Sequence, residues 1–348
     1  MTIANHKFYS KEVFCHFLCF CVCFFSLEFS SSSHSLLDIL HFFWKNITDH
    51  ETKKTLELSK IIFWEIRIPR LLSTILCACA FGASGVISQA VFRNPLASPS
   101  IIGTTSGGSL GAVIAIALNI AWINSLAIPI MAFLGCLSTT LLVLFFISIF
   151  KNKFIDNLLL TGFAISTFIT AITSFIISLI SNDPYKTTAI FQWSMGGFSY
   201  VTWNKLYLAS FPIIYGLILA IEISKVLDVY ILGEASSTAL GIDPKRLKIK
   251  AILIISLLIG TSISLCGTLP FVGLIVPHIS RLIFGPSHKK LVKFSMLNSI
   301  TLLVSADIIA KNILAHREIE LGILTSILGA PFFIWLIFKE SKNGSIGG

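Results

Sequence analysis

Apolar residues fall in long runs separated by short polar segments, at 13–29, 68–91, 103–120, 126–149, 157–180, 204–223, 249–266, 271–284, 294–310 and 322–338. Most approach or exceed the roughly 18 to 20 residues a helix needs to cross a bilayer, so the pattern predicts an all-α polytopic membrane domain of about ten helices. It occupies the whole chain, residues 1–348. The sharpest break is Phe92 to Gly103, which contains Arg93, Asn94, Pro95 and Pro99. Proline lacks a backbone donor and disfavours helix at the residue before it, so one helix ends here, the next is delayed, and the chain reverses. The run 271–284 is short, bounded by Pro270 and Pro286 and interrupted by Pro277, which predicts a segment partly covered by its neighbours. Small residues at Gly82, Ala83, Ser84 and Gly85, and at Ser106, Gly107, Gly108, Ser109 and Gly111, permit close helix contacts or leave room for a pathway.

Composition agrees with the pattern. Hydrophobic residues make up 55% of the chain and charged residues 12%, against roughly 25% charged in soluble domains, which excludes an ordinary soluble protein. A formal net charge of +9 raises the question of nucleic acid, but the basic residues cluster between apolar runs. Lys151 and Lys153, then Lys245, Arg246, Lys248 and Lys250, then Lys289, Lys290 and Lys293, then Lys339 and Lys342 mark loops expected to face the cytoplasm. In Ser30 to Glu65 the lysines Lys45, Lys53, Lys54 and Lys60 are offset by Asp38, Asp49, Glu51, Glu57 and Glu65, a balance that suits the outer side. An even helix count then puts both termini in the cytoplasm. Val13 to Phe29 follows Lys7 and Lys11 in the manner of a signal peptide, but no clear A-x-A-like site follows, so it reads as an uncleaved first helix.

The eight cysteines lie in or beside apolar runs without a C-x-x-C pair. Cys15 and Cys19 are one helical turn apart and could share a ligand, yet small buried hydrophobes are the simpler reading, and no metal site is expected. A membrane enzyme needs acids, bases or nucleophiles clustered at one depth, and a proton-coupled carrier needs carboxylates near mid-helix. Neither pattern occurs: Asp156, Glu222 and Asp307 are expected near helix ends, within reach of water. No Walker A pattern is present, so energy must come from outside the chain. Residues 227–250 hold Leu232 to Pro244, whose composition favours a short helix closed by Gly241, either a solvated connector or a docking element.

From about Ile66 to Phe338 the chain resembles the membrane permeases of FecCD-type ABC importers, the type II fold that carries iron-siderophores, haem and cobalamin. The resemblance rests on an ordered set: Arg67-Ile68-Pro69-Arg70-Leu71, Ser84-Gly85 with Gln89, Arg93-Asn94-Pro95-Leu96-Ala97 with Gly103, and Trp193-Ser194-Met195-Gly196-Gly197. It continues through Ala239-Leu240-Gly241, Phe271 to His278, Ala306-Asp307 and Gly329-Ala330-Pro331-Phe332-Phe333. It implies a non-enzymatic subunit of a bacterial inner-membrane importer, with ten helices and no cofactor of its own. The implied partners are a second permease subunit, expected to be an identical copy in a homodimer, two cytoplasmic ATP-binding subunits that hold ATP and Mg, and a periplasmic substrate-binding protein.

Residue roles follow by matching. Glu234, Ala235, Ser236, Ser237, Thr238, Ala239, Leu240 and Gly241 resemble the family's coupling helix, which rests on the ATPase. Arg67 and Arg70 match outer-face arginines that receive carboxylates of the binding protein, a task for which the guanidinium fork is suited. Lys311 stands where the family usually has a third arginine, and keeps the charge but loses the fork. Glu320 stands where the family commonly has proline, which is expected to alter the outer rim locally. His278 belongs to the family pattern whatever the substrate and is expected to make a structural contact, while Gln89 and Asn94 are expected to link helices. Haem and a ferric siderophore both stay open as cargo, with cobalamin behind them. An ion-coupled secondary carrier is the competing reading, and it would need discontinuous helices with mid-membrane coupling residues.

Overall fold

The computed structural model describes residues 2–28, 60–149, 154–314 and 317–342. Lys151, Lys153 and most of the Ser30 to Glu65 segment, with Lys45, Lys53, Lys54 and their acidic neighbours, lie outside the described residues. Among the described residues thirteen α-helices appear: α1 (Thr2–Glu28), α2 (Ile68–Val91), α3 (Thr104–Ala117), α4 (Ile120–Ile123), α5 (Ala127–Ile149), α6 (Phe154–Leu179), α7 (Pro184–Met195), α8 (Trp203–Tyr230), α9 (Glu234–Ala239), α10 (Pro244–Cys266), α11 (Val272–Phe284), α12 (His288–Asn312) and α13 (Leu321–Lys342). A π-helical turn, Ile62–Arg67, leads into α2, and a 3₁₀ turn, Pro99–Ile102, leads into α3. Among the described residues seven helices are long and apolar enough to cross a bilayer, and α3 and α11 are shorter apolar helices. These nine helices together with α1 take up the ten predicted runs.

Several helices outrun the apolar stretches that announced them. The run expected at 204–223 continues to Tyr230, the one at 249–266 begins at Pro244, and the one at 294–310 begins at His288. The added turns carry Lys225 and Asp228, then Lys245, Arg246 and Lys248, then Lys289, Lys290 and Lys293. Lysine, arginine and glutamate are good helix formers, so a helix can extend past its apolar part as a charged tip. The run expected at 103–120 instead stops at Ala117, where Asn119 adopts a left-handed φ of 60° and starts the short α4. The amphiphilic helix α7 has no predicted counterpart. Asp183 caps it by accepting from the backbone N–H groups of Tyr185 and Lys186, and Pro184 supplies the fixed φ of a first helical turn.

The central pair is α2 and α10, whose apolar windows are 72% and 78% buried, against 22% for α6 and 28% for α13. Around α2 pack α12, α10, α8 and α11, while α3 packs chiefly on α5. Lipid gives helices no hydrophobic reason to associate, so close backbone approach takes over that role. Gly107 and Gly135 face each other across the α3–α5 contact, so that a Cβ on either would collide with the other's carbonyl. Gly85 of α2 lies in the same way against the Gly273 carbonyl of α11. The expected short helix is α11: it starts after Phe271 at a left-handed φ of 67°, contains Pro277, and is covered by α2, α12 and α13.

Candidate functional site

At one end of the bundle the tip of α8 leads through Gly233, at φ 123°, into α9. Residues 234–241 are exposed except Ser237, whose hydroxyl donates to the Gly233 carbonyl at 2.7 Å. Leu232 and Leu240, 70% and 66% exposed, give this projection two uncovered apolar side chains. Gly241 takes a φ of 79°, with nothing within 4 Å of where a Cβ would stand, so its conformation and not its space calls for glycine.

Side chains in and next to α9 reach two other spans and the α2–α3 link. The Asp228 carboxylate accepts from the His288 backbone N–H at 2.8 Å and lies 2.7 Å from Nδ1 of the same residue, holding the start of α12. Arg93 places its guanidinium 4.5 Å above the Tyr230 ring and donates to the Tyr230 carbonyl at 3.1 Å, which ties the α2–α3 link to the tip of α8. Lys248 of α10 donates to Glu234 at 2.7 Å. That hydrogen bond holds the Glu234 carboxyl below the usual carboxylate range, against the opposing effect of its partial burial.

At the other end, the start of α2 meets the end of α12. Arg70 donates to Asp307 through Nε at 3.1 Å and Nη2 at 2.7 Å, and to Glu318 through Nη1 at 2.8 Å. Lys311 pairs with the second Asp307 oxygen at 2.6 Å, one turn further along α12. Ser199 donates to Glu318 at 2.9 Å, which brings in the link after α7. Arg67 donates to the Leu27 carbonyl at 2.9 Å and so closes the end of α1 onto α2. Trp203 Nε1 donates to the Trp64 carbonyl and stacks on Tyr207, an aromatic edge where the start of α8 meets the turn before α2.

Between the ends lie cavities. One of 400 Å³ runs beside Phe81 of α2 and is lined by Ser98, Thr105, Ile259, Ile263 and Leu274 among others. A second, of 370 Å³, is bounded by Ser194, Met195, Thr268, Ser326 and Ile327. A third, of 330 Å³, is lined by Gln192, Trp193, Tyr200, Lys205 and Glu320 near the α12–α13 link. Burial pushes the Glu320 carboxyl up, Glu318 adds to the effect, and Arg70 opposes it. Among the described residues the first two walls are apolar, small or hydroxyl-bearing, without a charged group.

Residues 18–339 match the FecCD transport family. The chain belongs to that family. The hemin transport system permease protein HmuU of Yersinia pestis is 33% identical over 287 residues, 82% of this chain and 85% of that protein. A Helicobacter pylori protein named a probable iron chelatin transport system permease is 34% identical over 279 residues, 80% of this chain and 83% of its own length. The vitamin B12 import system permease protein BtuC of Klebsiella pneumoniae is 32% identical over 287 residues, 82% of this chain and 85% of that one. In three dimensions, a metal-chelate type ABC transporter solved in an inward-facing conformation superposes with a TM-score of 0.81 at 29% identity, over 95% of this chain and 100% of that one. This FecCD chain is accordingly an integral membrane permease of the type II ABC importer fold.

The candidate residues separate into two groups. Glu234 to Gly241 form one continuous exposed element, with Glu234 bound to α10. Arg67, Arg70 and Lys311 are gathered at the opposite end but are 6%, 6% and 7% exposed and bonded inside the chain. The reading of Asp307 as reachable by water is corrected: it is 2% exposed, because two cations and the end of α2 close over it. Asn94 is corrected too, since its side chain accepts from the Leu96 N–H in a local turn and makes no hydrogen bond to another helix among the described residues. Gln89 does link helices, donating to the Leu274 carbonyl of α11 at 3.0 Å. His278 is buried in α11 beside Pro277. The internal partners Glu318 and Asp228 were not singled out by sequence reasoning, since both are lone acidic residues outside the apolar runs and the motifs.

Removing the anion from a buried charge cluster strands its cations. Asp307→Asn is expected to destabilise the protein by about 3–5 kcal/mol, seen as a lower midpoint of denaturant unfolding in detergent. A change within about 0.5 kcal/mol, the size of an ordinary surface substitution, would contradict this role.

Proposed function

We propose that this FecCD permease imports an iron chelate, haem or a ferric siderophore, by alternating access driven by ATP hydrolysis on a partner. The observation that carries the reading is the exposed helix α9, which holds no chemistry of its own but is bonded into the spans beside it. Two cytoplasmic ATP-binding subunits seat there, bringing ATP and Mg, and a second copy of this chain completes the pathway.

Orientation is supported by charge and by helix direction. Arg93, Lys245, Arg246, Lys248, Lys250, Lys289, Lys290 and Lys293 lie at or near the α9 end, which suits the cytoplasmic side. The end of α1 and the start of α13 both lie at the Arg70 end, held by Arg67 to Leu27 and by the Ile319 N–H to the Ala310 carbonyl. Both termini therefore point toward the cytoplasm in this reading, and the Arg70 end faces the periplasm.

A periplasmic binding protein docks at that end. Its carboxylate reaches Arg70 by exchanging with Glu318, the more exposed member of the cluster, whose side chain is 38% accessible against 8% for Arg70. Arg67 and Lys311 act beneath the surface by holding α1 and Asp307. Uncharged walls of small and hydroxyl-bearing residues suit a large chelate handed over whole and held loosely. Relatives named for hemin and iron chelatin transport support iron, and the BtuC relative keeps cobalamin as the alternative cargo.

Two measurements test this reading. The co-purified binding protein, titrated with haem, ferric siderophores and cobalamin, is expected to bind one iron chelate tightly, and saturation by cobalamin alone would reject the proposed cargo. Glu318→Gln removes a competing charge from Arg70, so it is expected to tighten docking of the binding protein at low salt by about 5-fold. Unchanged or weaker docking would remove the exchange at Arg70.

A further inference from the structure

Within Asp228 to Glu234 the chain grips α12 through His288, the α2–α3 link through Arg93, and α10 through Lys248. The first two grips are made by the tip of α8. The third is made by a side chain of α9 itself, at the first residue of that helix.

Lys248 sits in the first turns of α10 with its side chain 6% accessible, whereas that of Glu234 is 50% accessible. The lysine is thus fixed in the bundle, and the carboxylate belongs to the projecting element. From Lys248 to Ile263 is about 22 Å along a helix rising 1.5 Å per residue. Ile259 and Ile263 line the 400 Å³ cavity, and Ser264 to Gly267 line the 330 Å³ cavity. In α10 the one proline is Pro244 at the start, while α8, α11 and α13 carry Pro212, Pro277 and Pro331 inside. Interior proline is a common cause of a kink, and α10 has none past its first turn. Its central burial leaves it touching α2, α5 and α8 along its length.

We propose that Lys248 is a positioning residue for transport: its ion pair with Glu234 makes α10 follow α9, and α10 carries that displacement to the cavity walls. This rests on α9 being the seat of the ATPase. Lys248 touches neither cargo nor nucleotide in this scheme and acts through Glu234. Charge and length both matter, because the Nζ atom must reach a carboxylate on a separate helix across a tight turn.

The test uses the whole importer, reconstituted in vesicles with its ATPase subunits and loaded binding protein, and reads cargo moved per ATP hydrolysed. Lys248→Met keeps the apolar stem and leaves Glu234 free to hydrate, so assembly and basal ATP hydrolysis are expected to persist while cargo per ATP falls about tenfold. Lys248→Arg is expected to keep the ratio, and the reversed pair Glu234→Lys with Lys248→Glu to recover most of it. An unchanged ratio in Lys248→Met, a parallel loss of assembly and hydrolysis, or a reversed pair no better than either single variant would overturn the proposal. Leu240→Asp on the exposed side of α9 separates the two readings. It should block ATPase binding, and normal assembly of that variant would reject the seat on α9 itself, whatever Lys248 does.

Discussion

A bilayer interior offers no water to unpaired backbone groups or charges, and this constraint shapes the whole molecule. Each backbone amide must be satisfied within its own segment, which leaves helices as the available solution for spans of this composition. Charges are driven to the helix tips, where they either hydrate or pair. The middle of the bundle is left to close contacts between small residues, such as Gly107 against Gly135 and Gly85 against Gly273. Such contacts set how near two helices lie without adding polar groups to the walls of a pathway.

The two ends use their charges differently. At the Arg70 end, four ionisable groups from α2, α12 and the α12–α13 link close into one cluster, with Asp307 at its centre. At the α9 end, one short helix stays exposed, joined to α10 by Glu234, while the tip of α8 that leads into it holds α12 and the α2–α3 link. The first arrangement favours a fixed rim, and the second leaves a projecting element tied to the spans beside it. An importer driven from one side and loaded from the other needs both.

Much of the fold was legible in the sequence because a spanning helix leaves an apolar run that nothing else in a globular chain imitates. The short α9 was legible for a different reason: Gly233 and Gly241 bracket a polar stretch of helical length between spans. The charged tips of α8, α10 and α12 were not, because the hydropathy signal ends at the membrane boundary while the helix continues. The helix α7 was missed because its residues mix Lys186, Thr187, Gln192 and Ser194 with aromatics and give no clean run. Arg70 was visible as a docking candidate, but its partner Asp307 lies 237 residues away, and only folding brings α2 and α12 into contact there. Lysine at 311 satisfies that partner as one prong of a local i, i+4 pair, so the missing guanidinium fork does not leave Asp307 without a second cation.

The central claim is that this chain moves its cargo as a permease and draws its energy from a partner seated on α9. The most direct measurement is uptake of a labelled iron chelate into vesicles that contain the chain with or without its ATPase subunits. The account predicts uptake only with the ATPase, its binding protein and Mg-ATP all present. Uptake by the chain alone, driven by a proton gradient without ATP, would contradict it.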